Sequence, residues 1–272
     1  MNQLANEFAK NGWMILDLVS PDIILHARQR LQKQLVSLLG KETSLEEYHL
    51  LADDDPFHTD IQIKMTDFFR KEKFGPSIIS EQISFFHQFM GLDLRVQANP
   101  YLRMTRPNKK QDNIGYHRDT FYGGSPYELS VLIPFVELNE KNALKVMPGS
   151  HIFHENHFST TQIENPDSAV KKGTAKHQLG FLYAPKMMDP STEEKMKPIP
   201  LKIGQALIFS LSIVHGSIEN LSNWTRWSTD IRVMNAFAPV DLSARPDYYE
   251  PLSSSQVTQQ AEEYFSATLA TI

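Results

Sequence analysis

Over the first ninety or so positions, apolar residues recur at helical spacing. Ile23, Leu25, Leu31, Leu35, Leu38 and Leu39 form such a stripe, with Ser20 or Asp22 as a candidate cap and Gly40 as a stop. Residues 13–16 read as a short strand before it, and residues 61–69 and 78–90 as two more helices. From about Leu92 the pattern changes to short runs rich in β-branched residues, separated by turn clusters. Candidate strands cover residues 94–102, 129–138, 144–147, 201–203, 206–211 and 228–237. Helices first and strands afterwards predict an α+β, mainly β chain with a sandwich or small barrel as its body. Residues 151–198 are polar and weakly patterned. They read as a long insertion between strands, either a lid or binding loop or an exposed surface loop.

The chain has 272 residues, 41% of them hydrophobic, and carries no internal repeat and no Pro/Gly/Ser-rich linker. One domain spanning residues 1–272 is therefore expected. The formal net charge of −5 argues against nucleic acid as a partner, since phosphate binding needs a clustered positive field. The absence of cysteine excludes disulfides, thiolate zinc sites, iron–sulfur clusters and a cysteine nucleophile. Any metal must take nitrogen and oxygen ligands. The N-terminal residues lack the pattern of a signal peptide, and no run approaches the roughly 20 apolar residues of a membrane span. A cytoplasmic protein acting on a small molecule is expected, with no membrane or nucleic-acid partner and with monomer or homodimer left open.

Against that background, Tyr116-His117-Arg118-Asp119-Thr120 contains a His-x-Asp. On a strand, residues i and i+2 point to one face, so an imidazole and a carboxylate would project together. His215 follows the strand-like run 206–211, which Gly204 launches. Two histidines and one carboxylate can occupy one face of an iron octahedron and leave the other positions open. Alone, a His-x-Asp is common and usually structural. Arg226 lies eleven residues past His215, across a turn, where the next antiparallel strand would bring it back beside the metal ligands. A guanidinium in an apolar barrel needs an anion; the C5 carboxylate of 2-oxoglutarate would satisfy it bidentately, with Ser217 adding a hydroxyl. A surface or intraprotein ion pair is the alternative for Arg226.

Three pieces of the chain together resemble the phytanoyl-CoA dioxygenase family of Fe(II)/2-oxoglutarate-dependent oxygenases. They are His117-x-Asp119, Asn142-Ala143-Leu144-Lys145-Val146-Met147-Pro148-Gly149-Ser150-His151, and His215-Gly216-Ser217-x-x-Asn220-x-Ser222-x-x-x-Arg226. The opening Asn11-Gly12-Trp13-Met14-Ile15-Leu16 resembles the family's N-terminal strand, so the likeness runs from about residue 5 to 240. It departs at Ala143, where the family often has a second glycine.

The resemblance implies a double-stranded β-helix (jelly roll, cupin-like) core at about 93–240, flanked by N-terminal helices at 1–92 and followed by an extension at 241–272. It implies His117, Asp119 and His215 as iron ligands, and Arg226 and Ser217 as contacts of the cosubstrate 2-oxoglutarate, with O₂ as the other cosubstrate. It makes Pro148-Gly149 a turn that His151 caps. Hydroxylation of an unactivated C–H bond, with release of succinate and CO₂, is the implied outcome. Related halogenases lack the carboxylate, so Asp119 favours oxygenation.

Other residues border this core reading. Arg103 could point into the barrel, towards substrate or the C1 end of 2-oxoglutarate, or outward to solvent. Thr120, Phe121, Tyr122, Gln97 and Tyr101 are candidate substrate contacts, as is Asn113; Arg106 sits in the same stretch. Asp230 and Arg232 read as a structural pair beside the cosubstrate, ranked below Arg226. His151, His154 and His157 read as loop histidines, and Asp53-Asp54-Asp55 as an acidic turn rather than a Ca²⁺ loop. Two rivals remain: a non-catalytic jelly-roll binding protein and a cupin-type metal isomerase.

Overall fold

A computed structural model describes residues 2–161, 185–243 and 245–269. The helical first part comprises α1 (Asn2–Asn11), a strand β1 (Trp13–Asp17), α2 (Asp22–Leu39), α3 (Asp55–Lys71), α4 (Phe74–Glu81) and α5 (Ile83–Met90). The sheet-forming part comprises β2 (Leu94–Gln97), β3 (Tyr101–Thr105), β4 (Glu128–Pro134), β5 (Lys145–Val146), a short α6 (Thr192–Lys195), β6 (Lys197–Pro198), β7 (Gln205–Ser210), β8 (His215–Gly216), β9 (Arg226–Asn235) and β10 (Tyr249–Ser253). A terminal helix α7 (Gln256–Leu269) follows.

Two antiparallel sheets form the body. The larger runs β1-β7-β4-β9-β2-β10, with β3 also paired to β9, and the smaller runs β6-β5-β8. This is the expected jelly-roll core with flanking helices. The strand before α2 is not peripheral: β1 pairs along its whole length with β7, from Trp13↔Phe209 to Asp17↔Gln205.

Several boundaries differ from the sequence expectation. Residues 94–102 form two strands, because Pro100 cannot donate to a ladder and the chain leaves β9 at residues 98–100. Residues 78–90 split into α4 and α5 at Gln82. The α2 stripe is rotated: Ile24, Ala27, Leu31 and Leu35 are buried, and Leu25 is exposed. Neither Ser20 nor Asp22 caps that helix through its side chain, whereas Gly40 ends it at φ 65° and donates to Val36 O. The acidic run is explained by α3, where Asp54 accepts from Phe57 N as an N-cap. Residues 201–203 form only a bridge, Leu201↔Leu138. Of the 151–198 insertion, residues 162–184 lie outside the described residues; Phe158, Met187 and Met196 pack beside Tyr116, with Met187 N donating to Tyr116 O.

Strand β9 organises the interior. Its odd positions Trp227, Ile231 and Val233 are buried in the main core, where Trp227 Nε1 donates to Leu45 O. The same core takes Phe69 against Phe135, with ring centroids 5.8 Å apart. Each fully buried side chain of this size contributes roughly 1.5–3 kcal/mol of transfer free energy. The even positions of β9 face the other way, towards the cleft between the two sheets.

Candidate metal and cosubstrate site

The two histidines meet through their backbones. His117 N donates to His215 O at 2.9 Å, and His215 N donates to His117 O at 2.9 Å. This reciprocal bridge sets the imidazoles side by side, with centroids 4.5 Å apart. The expected strand at His117–Asp119 is therefore one bridge, after which Asp119 begins a 3₁₀ turn (Asp119–Tyr122). Arg118 between them is extended (φ −117°, ψ 143°), so the two side chains still share a face. Gly216 permits the approach: at φ 143°, a Cβ there would lie 2.2 Å from Gly115 O.

The imidazoles are oriented from behind. His117 Nδ1 lies 2.9 Å from Gly115 O, and His215 Nδ1 lies 3.0 Å from Ile213 O. A carbonyl only accepts, so each Nδ1 carries the proton and each Nε2 offers its lone pair. Both Nε2 atoms approach Asp119 Oδ1, at 3.5 and 3.6 Å. One donor atom from each of the three buried residues falls within 4.8 Å of the others. Burial pushes the His215 imidazole down to about 4, although Asp119 opposes this. For Asp119, burial opposes ionisation, but Arg232 and the two imidazoles outweigh it and hold the carboxyl well below its usual range. The donor set is buried, nitrogen-and-oxygen, and convergent, as a divalent iron site requires.

Arg226 opens β9 at the other end of the cleft that His117, Asp119 and His215 line. Its register partner on β3 is Thr105. One guanidinium nitrogen donates to Ser217 Oγ (3.0 Å) and Asn142 O (3.2 Å). Its Nε is buried with no hydrogen-bond partner among the described residues, as are Thr105 Oγ1 and Ser228 Oγ. Burial, reinforced by Arg103 and opposed by Asp230, lowers the guanidinium to about 10. Such a group calls for an anion, and a dicarboxylate reaching from the His–Asp–His cluster fits this cradle.

Arg103 also lines the cleft, 3.7 Å from Asp230. So does Asn113. Gln97, Tyr101, Thr120 and Phe121 do not line the cleft. Gln97 Oε1 accepts from Arg232 N where β9 loses its neighbour strand. The Tyr101 ring lies under Arg70 and beside Arg103. Thr120 N donates to Leu211 O while its Oγ1 is buried without a hydrogen-bond partner among the described residues, and the Phe121 ring meets Phe158 edge-on at 6.5 Å. The Tyr122 side chain lies outside the described residues. Arg106 is buried in an ion-pair lattice with Asp112 and Asp55. The three loop histidines disperse: His151 contacts Ala9 O, His154 accepts from Asn156 N, and His157 stacks on Phe153.

Sequence reasoning ranked Arg232 low, yet it contacts Asp119 directly. The signal was the alternation Arg226, Ser228, Asp230, Arg232 on one strand face, all four lining the cleft. The Pro-Gly-Ser-His motif works as scaffold. Gly149 turns at φ 75°, and Ser150 Oγ accepts from Val214 N, one residue before His215.

The phytanoyl-CoA dioxygenase (PhyH) family model matches residues 19–228. The chain belongs to this family. Its members are Fe(II)- and 2-oxoglutarate-dependent oxygenases that consume O₂, the cofactor set that the His–Asp–His cluster fits. No curated protein matches the sequence. Among solved structures, the apo form of the non-heme monooxygenase ThoJ is 15% identical, with 93% of this chain and 84% of that one covered at a TM-score of 0.57. EvdO2 from Micromonospora carbonacea var. aurantiaca, complexed with 2-oxoglutarate, is 17% identical, with 89% and 94% covered at 0.52. The epimerase SnoN, in complex with Fe³⁺, alpha ketoglutarate and nogalamycin RO, is 15% identical, with 86% and 83% covered at 0.50. At these identities the likeness establishes the shared jelly-roll fold. Among the described residues, no helix is long and apolar enough to cross a membrane.

Proposed function

We propose that this family member is a hydroxylase: a single catalytic domain that oxidises an unactivated C–H bond of a small polar molecule. His117, Asp119 and His215 would hold Fe(II), and Arg226 with Ser217 would hold the C5 carboxylate of 2-oxoglutarate. When bound, iron and 2-oxoglutarate supply the oxidising power, with O₂ consumed and succinate and CO₂ released. The observation that carries the reading is the buried Arg226, whose Nε is left without a partner at one end of the cleft that ends on the His–Asp–His cluster. A metal isomerase has no need of such an anion cradle, and a protein that only binds has no need of the oriented imidazoles.

The chain's own groups do the positioning. The Nδ1–H bonds to Gly115 O and Ile213 O fix both rings with Nε2 inward. Arg226 orients the cosubstrate by its far end, and Ser217 Oγ, accepting from Arg226, keeps its own proton available for a carboxylate oxygen. Leu132 and Leu144 give the cleft apolar wall, which limits water beside the metal. Arg103, Asp230 and Asn113 line the same cleft and supply polar contacts for a substrate.

The test is anaerobic addition of Fe(II) and 2-oxoglutarate to the protein. A weak visible charge-transfer band of the chelated keto acid is expected. Metal bound without that band would overturn the reading. A screen following succinate release then identifies the substrate, and product analysis separates hydroxylation from other outcomes such as epimerisation, the reaction class of the structurally similar SnoN.

A further inference from the structure

Arg232 does not face solvent or a distant acid. It reaches Asp119 Oδ2, while Asp119 Oδ1 faces both imidazole Nε2 atoms at 3.5 and 3.6 Å. The two carboxylate oxygens are thus divided between two partners. The guanidinium is itself held: Ser130 Oγ accepts from its other terminal nitrogen, and Ser130 is its register partner on β4. Its backbone is held as well. The chain leaves the β9 ladder at residues 98–100, and Gln97 Oε1 accepts the Arg232 N–H at 3.1 Å. Arg232 is therefore fixed from the backbone, from the side and at its tip.

We propose that Arg232 is a positioning residue that makes Asp119 a one-oxygen ligand, by occupying Oδ2 and turning Oδ1 towards the two histidines. This rests on the proposed assignment of His117, Asp119 and His215 as metal ligands. A carboxylate without such a clamp can rotate and offer both oxygens, taking a coordination position that the cosubstrate and O₂ need. The guanidinium also balances the carboxylate charge, so the bound metal keeps more of its own charge for the cosubstrate. Partners of this kind behind metal ligands commonly change affinity by ~10–100-fold when removed.

The probe is Co(II), titrated into the full-length chain and read by its visible d–d absorption, with thermal unfolding of the metal-free protein measured in parallel. Arg232→Met is expected to weaken Co(II) binding by ~10–100-fold and to alter the d–d bands as the carboxylate takes a second oxygen position. Arg232→Lys, which keeps one donor, should recover part of both effects. A merely structural ion pair would lower the unfolding temperature and leave the affinity and bands of the bound metal as in wild type, and that result overturns the proposal. If Arg232→Met does not fold, Ser130→Ala decides. It removes one support of the guanidinium, so a few-fold weaker site with shifted bands supports the proposal and an unchanged site overturns it. A wild-type protein that binds no Co(II) sensitive to Asp119→Ala would instead remove the metal-site assignment, and this inference with it.

Discussion

At one end of the cleft the ligand side chains are held in place by protein partners; at the other, several buried polar groups have none among the described residues. Around Asp119, both imidazoles donate rearward to carbonyls, and the carboxylate is shared between them and Arg232. Around Arg226, the guanidinium Nε, Thr105 Oγ1 and Ser228 Oγ are buried without a hydrogen-bond partner among the described residues. A buried unsatisfied polar group costs ~1–3 kcal/mol, more if charged. The first end is a preorganised cage that can hold together before any metal arrives. The second, on the proposed function, is a cradle whose buried donors a carboxylate would satisfy. Stability and ligand binding are thus separated along one strand, β9.

Four experiments bear on that contrast. The largest effect is expected from Asp119→Ala, which should reduce 2-oxoglutarate turnover to background in a succinate assay; wild-type turnover would remove Asp119 from the site. Next is Arg226→Met. It should raise the KM for 2-oxoglutarate by ~10²-fold, in line with loss of a buried, charge-assisted pair. It should also leave the unfolding temperature of the metal-free protein unchanged or higher, since it deletes an uncompensated buried charge. A large drop in that temperature would make Arg226 structural and erase the contrast.

Gly216→Ala attacks the cage through its backbone. A Cβ 2.2 Å from Gly115 O must separate the two histidine segments, and about 4 kcal/mol of destabilisation is expected, or ~8–16 °C in Tm for a chain of this size. A smaller shift, with metal affinity retained, would show that the bridge is not what sets the imidazoles.

The smallest and most gradual effect lies behind the cleft wall. His58 is buried against Tyr48, with its Nε2 3.7 Å from the carboxylate of Asp112, a cleft-lining residue that pairs with Arg106. Burial lowers the imidazole from 6.5 to about 4, partly opposed by Asp112 and aided by Arg106. The folded state therefore binds fewer protons than the unfolded state between these values. Its contribution is complete above about pH 6.5 and is lost as pH falls towards 4, at most about 3 kcal/mol. Denaturant unfolding across this range should show that slope, and His58→Gln should flatten it.

Much of the site was legible because its chemistry is written in short spacings. His117 and Asp119 are two apart, and Arg226 follows His215 at a turn's distance. The alternation along β9 was equally present in the sequence but went underused, since Arg232 and Asp230 read as a pair with each other. In the structure Arg232 goes to Asp119 and Asp230 to Arg103. A strand face tells which side chains point together, but not which partner each finds across the cleft. Gln97 shows the same limit: a polar residue in a strand run suggested a ligand contact, yet it substitutes for a missing ladder neighbour.

The sequence by itself determined most element types, the order of helices before strands, and the candidate site residues, because periodicity and residue type act over a few positions. Only the tertiary structure decided how those residues pair. The exchange of hydrogen bonds between His117 and His215, the division of Asp119 between the two imidazoles and Arg232, and the unmet donor on Arg226 depend on contacts between positions about a hundred residues apart. Those contacts are set by strand register and burial, where a carboxylate takes whichever cation the packed sheets bring within reach.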